Sequence, residues 1–251
     1  MDRVKAQREW LKSGFSDDEE DDIKSDQDLK LPQPPLQKPY DSSVKTIALP
    51  KATKNVLKKI DIMDILEDRK SNRVYSEGSV TLEELSFLLW ATQGVKEVRG
   101  NNYATIRPVP SAGARHPFET YIAVNRVDGL KKGIYRYLAL THELLFIKED
   151  DYLEEALSGL TLGQKFAGRS AVTFIWSVIP YRGEWRYNVL AHKPMLLDAG
   201  HVCQNLYIAC EAIGCGTCAI AAYDQSGFDE YLELDGEDEF VVYLSPVGKV
   251  Q

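Results

Sequence analysis

Residues 107–117, RPVPSAGARHP, combine three prolines with a run of very small side chains. Pro108, Pro110 and Pro117 fix φ and remove backbone donors. Between them, Ser111, Ala112, Gly113 and Ala114 form a floor on which a flat ligand can lie close to the backbone. Ser111 adds a hydroxyl and the amides around Gly113 add donors. A tight turn ahead of the strand-like segment 119–125, ETYIAVN, is the plainer alternative. A second stretch, residues 69–73 (RKSNR), is rich in cations. There Arg69, Ser71 and Arg73 can lie together past a helix end, with Lys70 beside them. They would offer bidentate forks and a hydroxyl to an anion; a solvated basic turn would use the same residues. Cys215 and Cys218 form a C-x-x-C pair, with Cys203 and Cys210 nearby. A metal centre and a set of buried thiols are both conceivable, and the apolar flanks favour thiols. His192 and His201 read as structural histidines.

These residues need elements to hold them. Val56, Leu57, Ile60, Met63 and Leu66 recur at helical spacing and predict one helix over residues 53–69. Thr81 and Glu84 form a capping box ahead of Leu82, Leu85, Leu88 and Leu89. Residues 134–138 and 143–147 predict a hairpin about Thr141 and His142. Further helices are expected over 153–160 and 198–213, the latter stopped by Gly214. Residues 171–179 and 239–244 read as strands. The mixture implies an α+β chain: a central sheet with helices packed on it.

The 251 residues suffice for one domain with a large core. Residues 51–251 read as that compact domain, and 1–50 as an N-terminal arm. The arm holds an amphipathic segment at 4–15, six acids at 17–22 and a proline-rich extended strap at 31–39. With 44% hydrophobic and 27% charged residues the composition is that of a globular protein. A net charge of -8 and a pI near 5.2 argue against a nucleic-acid partner. No apolar run would span a membrane, and the first residues lack a secretory core, so a cytoplasmic protein is expected.

The segment PSAGARHPFETYIAV resembles the PSAG loop of the nitroreductase superfamily, in its SagB-type dehydrogenase branch. Residues 68–73 (DRKSNR) are similar to that superfamily's entry motif. Residues 85–94 (LSFLLWATQG), 198–205 (DAGHVCQN), 215–220 (CGTCAI) and 244–249 (LSPVGK) are similar to later motifs in the same order. The resemblance covers roughly residues 60–250 and leaves 1–50 out.

The resemblance implies an FMN-binding nitroreductase-like fold with a mixed or antiparallel sheet, and a homodimer with two flavin sites at its interface. It assigns the FMN phosphate and ribityl chain to Arg69, Lys70, Ser71 and Arg73, with Lys249 closing the phosphate side. The loop Pro110, Ser111, Ala112, Gly113 would come from the partner subunit. Backbone at Ala219, Ile220 and Ala221 would contact the ring, although Ala221 stands where the family often has glycine. No metal is implied. In azoline-oxidising members a lysine–tyrosine pair occupies the position of Arg186 and Tyr187, the candidate catalytic residues here. An arginine keeps its proton at neutral pH and cannot serve as a base, but it can orient an anion or carbonyl.

The expectation is therefore reduction of nitro, quinone or similar small acceptors, driven by NADH or NADPH. Azoline dehydrogenation, BluB-like flavin fragmentation and non-catalytic flavin binding are the alternatives. No G-x-G-x-x-G follows a strand, so a nicotinamide would bind transiently over the flavin.

Overall fold

Alternating side chains on two central strands divide the interior into two cores. In the computed structural model, which describes residues 3–15 and 24–250, β1 (Thr46–Ala48), β2 (Glu97–Arg99), β3 (Ala104–Ile106), β4 (Phe118–Val124), β5 (Gly133–Leu138), β6 (Glu143–Glu149), β7 (Val172–Val178), β8 (Cys215–Thr217) and β9 (Phe240–Lys249) are the strands. Seven form one sheet in the order β1-β6-β5-β4-β7-β9-β8, and every pair in it is antiparallel. β2 and β3 form a separate ribbon. In β4 and β7 all seven residues are buried. Ile122, Val124, Phe174 and Trp176 enter one core, whereas Tyr121, Ala123 and Ile175 enter the other. This is the period of two that a strand buried on both faces requires.

The helices are α1 (Arg3–Gln7), α2 (Ile62–Asp68), α3 (Leu82–Gln93), α4 (Leu153–Leu160), α5 (Lys165–Gly168), α6 (Tyr181–Tyr187), α7 (His192–Ala212) and α8 (Gln225–Tyr231). The first core packs Leu85, Leu88 and Leu89 of α3 with Val202, Cys203 and Leu206 of α7. The second packs Leu153 and Leu157 of α4 with Phe228 of α8. The capping box at Thr81 and Glu84 is complete. The hairpin turns at His142, whose φ is 59°, and Gly214 ends α7 at φ 68°. All four cysteines are free and buried, and Cys203, Cys210 and Cys215 pack in the first core.

Three expectations change. The single helix over 53–69 is broken into a 3-10 turn at Lys54–Val56 and α2. The amides of Lys58 and Lys59 leave the helical path to donate to Ala212 O, at 2.7 and 3.1 Å. The apolar stripe is divided: Val56 and Leu57 pack against the first core, whereas Ile60, Met63 and Leu66 face outward, Ile60 at 84% exposure and Met63 at 70%. α7 begins six residues before the expected start, and β9 runs through Pro246 to Lys249, past its expected end. The amphipathic segment at 4–15 is α1 followed by a 3-10 turn at Arg8–Leu11, with Trp10 and Leu11 exposed. The acidic run at 17–22 lies outside the described residues.

Residues 24–39 lie along the body as an extended strap. Gln27 N donates to Trp185 O at 2.8 Å, Trp185 Nε1 to Leu31 O at 3.0 Å, and Arg182 Nε to Pro35 O at 3.0 Å. Lys38 N donates to Glu119 Oε1 at 2.7 Å, and the same carboxylate pairs with the buried Arg182 at 2.5 Å. The first sheet strand, Thr46–Ala48, lies inside the segment read from sequence as arm.

Candidate functional site

The loop that follows β3 is bent by left-handed residues: Gly113 at φ 58°, Ala114 at 54° and His116 at 44°. Glycine takes that conformation freely, whereas alanine and histidine hold it only where neighbours enforce it. Here the enforcement is visible. His116 N donates to Ser111 Oγ at 2.9 Å, and Ala112 N donates to both carboxylate oxygens of Asp198, at 3.2 and 3.0 Å. Burial raises the Asp198 carboxyl above the ordinary aspartate range, opposed by hydrogen bonds from Ser111 and Ala112. Burial, with Arg107 beside it, lowers the His116 imidazole to about 2.

Against this loop lies the end of α6. A β-carbon built on Gly113 would stand 2.5 Å from Arg186 Cδ, 2.7 Å from Arg186 Nε and 2.8 Å from the Tyr187 hydroxyl. Arg186 Nη1 donates to Tyr103 Oη at 3.2 Å, and Gln27 Nε2 donates to the same hydroxyl at 2.8 Å. Arg115 is buried beneath them. Its Nε donates to Gly113 O and its Nη2 to Tyr103 O, while its guanidinium faces the rings of Tyr103 and Trp185 at 4.8 and 5.3 Å. Ser111, Ala112, Gly113, Arg186 and Tyr187 thus meet in one chain, whereas Pro110 stays exposed at the loop's entrance.

A second cluster forms where the chain leaves α2. Ser71 bridges to Thr217, and Asn72 N donates to Thr217 O at 2.9 Å. Tyr207 of α7 joins its parts. Its hydroxyl accepts from Ala219 N at 2.8 Å and lies 3.0 Å from Ser71 Oγ, and the Arg69 guanidinium sits 5.4 Å above its ring. Arg69 forms no ion pair among the described residues, so its fork is open to an anion. A cation with hydroxyls beside it suits a phosphate-bearing ligand in its chemistry.

The remaining candidates are more dispersed. Arg73 lies 6.0 Å from the Phe166 ring, and Lys70 is exposed. The Lys249 ammonium is committed to an ion pair with the buried Glu84. Ile220 is buried and bridged to Leu244, and Ala221 is exposed beside it.

The two clusters attach to different stations of α7, at Asp198 and Tyr207. With a rise of about 1.5 Å per residue they are roughly 13 Å apart along its axis. Sequence reasoning missed Tyr207, Asp198, Tyr103 and Arg115. An acid inside the apolar stretch 195–203 was a usable sign for Asp198; Tyr207 resembles any core aromatic on a helix.

Comparison with known proteins follows the same outline. The model of the nitroreductase family matches residues 66–249. The nitroreductase homologue MJ1384 of Methanocaldococcus jannaschii is 31% identical over 193 residues, covering 77% of this chain and 93% of that protein. The trifolitoxin-processing protein TfxB of Rhizobium leguminosarum bv. trifolii is 31% identical over 148 residues, or 54% of this chain and 38% of its own length. Among solved structures, a nitroreductase homologue from Ralstonia eutropha JMP134 superposes with a TM-score of 0.68 at 24% identity, over 88% of this chain and 99% of that one.

Proposed function

The chain belongs to the nitroreductase family, and on that premise we propose that it is an FMN-dependent oxidoreductase carrying hydride from NADH or NADPH to a small electrophilic acceptor, such as a nitro compound or quinone. The observation that carries this reading is Arg186 held against Gly113 with the Tyr187 hydroxyl beside it. The flavin, when bound, supplies the hydride chemistry, and the chain supplies placement and charge. Arg69 and Ser71 would hold the phosphate, with Lys70 and Arg73 at its margin, while Lys249 stays with Glu84. The backbone at Ala219, Ile220 and Ala221 would flank the ring. Negative charge develops on an acceptor as it takes hydride, and a fixed guanidinium and phenol at the loop would stabilise it.

The family resemblance implies a loop donated across a subunit interface, which favours a homodimer. In that assembly the loop Pro110–Ser111–Ala112–Gly113 of one subunit completes the cluster around Tyr207 of the other. Exposed apolar side chains at Ile60, Met63, Leu196 and Leu197 supply a surface for it. No helix among the described residues is long and apolar enough to cross a membrane.

Similarity to TfxB favours a second reading, modification of a peptide, of which azoline dehydrogenation is one form. That oxidation needs a base to take a proton from carbon, and the position of the azoline enzymes' lysine holds Arg186. The two readings separate on the purified holoprotein. Flavin-coupled NAD(P)H oxidation with an added nitro or quinone acceptor is expected. Failure to turn over any acceptor, with azoline peptides oxidised instead, would reverse the choice.

A further inference from the structure

We infer that Gln27 is a positioning residue for Arg186, and that the strap around it sets where the end of α6 stands over Gly113. This rests on the acceptor-reducing reading above and adds to it what holds Arg186 and Tyr187 in place.

α6 cannot place that pair unaided. It has seven residues, and Pro180 ahead of it supplies no side-chain cap. Helices this short are marginal by themselves. Asn188, at φ 47°, then breaks the helical path. Val189 N, which a continuing helix would give to Trp185 O, donates instead to Asn188 Oδ1 at 2.8 Å. The carbonyl left over is one that a helix end must satisfy from outside. Gln27 N does so at 2.8 Å. The strap repeats this hold along α6. The Tyr181 hydroxyl donates to Asp26 Oδ2 at 2.7 Å, and Arg182 Nε and Trp185 Nε1 donate to Pro35 O and Leu31 O, both at 3.0 Å. The matched family region begins at residue 66, so these bonds are made by chain outside it.

The Gln27 side chain reaches the far end of Arg186. Its Nε2 and Arg186 Nη1 both donate to the Tyr103 hydroxyl, at 2.8 and 3.2 Å. With Gln27 on one side of that oxygen, the guanidinium is directed to the other. One strap residue therefore sets both the backbone just before Arg186 and the acceptor at its tip. Gln33 Nε2, on Asn102 O at 2.6 Å, ties the strap to the residue before Tyr103. The hold is polar rather than apolar: Leu29 and Leu31 are 54% and 45% exposed. Removing the Gln27 amide thus loosens the end of α6 without emptying a core.

The test compares Gln27→Ala, Arg186→Ala and the double variant, with Gln33→Ala as the control. Hydrogen exchange over residues 181–188 of the purified protein needs no turnover. Gln27→Ala is expected to speed it about five-fold, the share of one neutral hydrogen bond, and to add nothing once Arg186 is removed. In the holoprotein, kcat for a nitro acceptor should fall in Gln27→Ala with KM nearly unchanged, because Arg186 acts on charge that develops in the transition state. Gln33→Ala should lower Tm and leave kcat alone. Unchanged exchange in Gln27→Ala, or effects of the two substitutions that simply add, overturns the inference and reduces the strap to packing. Coupled exchange without turnover of any acceptor would keep the positioning and discard the reaction; turnover whose kcat ignores Gln27 would do the reverse.

Discussion

Gly113 and Arg186 touch so closely that a single added carbon on the glycine would lie 2.5 Å from Arg186 Cδ. The glycine is also left-handed, at φ 58°. Gly113→Ala should therefore act twice. The backbone conformation costs about 1–2 kcal/mol, and the methyl displaces Arg186 and Tyr187. Thermal melts should show the destabilisation, and acceptor turnover should drop further than stability explains. In an Arg186→Ala background the same substitution should be milder, because the clash with Arg186 is gone and only the backbone term and the Tyr187 hydroxyl contact remain. Equal effects in both backgrounds would mean that the contact is incidental.

Tyr207→Phe tests the second cluster. Removing the hydroxyl leaves the Ala219 amide without its acceptor and frees Ser71. One neutral hydrogen bond is worth about 1 kcal/mol, so FMN affinity, followed by fluorescence quenching, should weaken several-fold. Arg69→Ala removes a charge and should weaken it by about ten- to hundred-fold. Arg73, lying over Phe166, should matter less than Arg69. Unchanged affinity in both arginine variants would remove the phosphate from this place.

His116 gives the fold a dependence on pH. Its folded-state value is depressed to about 2, while an unfolded histidine titrates near about 6.5. Above that value both states are neutral and the group exerts no pull. Below it the unfolded chain binds a proton that the folded chain refuses, so stability falls as pH drops from about 6.5 toward 2. The slope from this one group approaches about 1.4 kcal/mol per pH unit. His116→Asn, which tolerates a left-handed backbone, should flatten the acid limb of Tm against pH. A variant with the wild-type slope would assign acid sensitivity to other groups, such as His142, which burial also lowers.

A dimer should be visible directly. Light scattering on dilute holoprotein should give twice the chain mass, with an interface in the obligate class above about 2,000 Å². A stable flavin-loaded monomer would refute the shared site.

The features legible in the sequence were those set by short-range chemistry. The box at Thr81 and Glu84, the stop at Gly214 and the turn at His142 each need only a few neighbouring residues to form. The break between Val56 and Ile62 was not legible, because its cause is distant: the carbonyl of Ala212 draws off the amides of Lys58 and Lys59. The same limit hid Tyr207. Nothing in its neighbours on α7 announces that its hydroxyl will meet Ser71 and Ala219 from two other parts of the chain. The loop around Gly113 was recognisable as small residues between prolines, but Tyr103 and Asp198, which hold it, came from two further segments. The proline strap was expected to be extended, yet its hold on Trp185 and Glu119 depends on the finished surface of the body.

The length of α7 between Asp198 and Tyr207 makes the two clusters genetically separable. In a homodimer built as proposed, a subunit disabled at Arg69 and another disabled at Gly113 damage different halves of each composite site. Mixed after reversible dissociation, they would form hybrids in which one site carries both lesions and the other carries none. Activity would then reappear from two inactive parents, as intersubunit complementation. A chain that housed both halves of its own site could never show it.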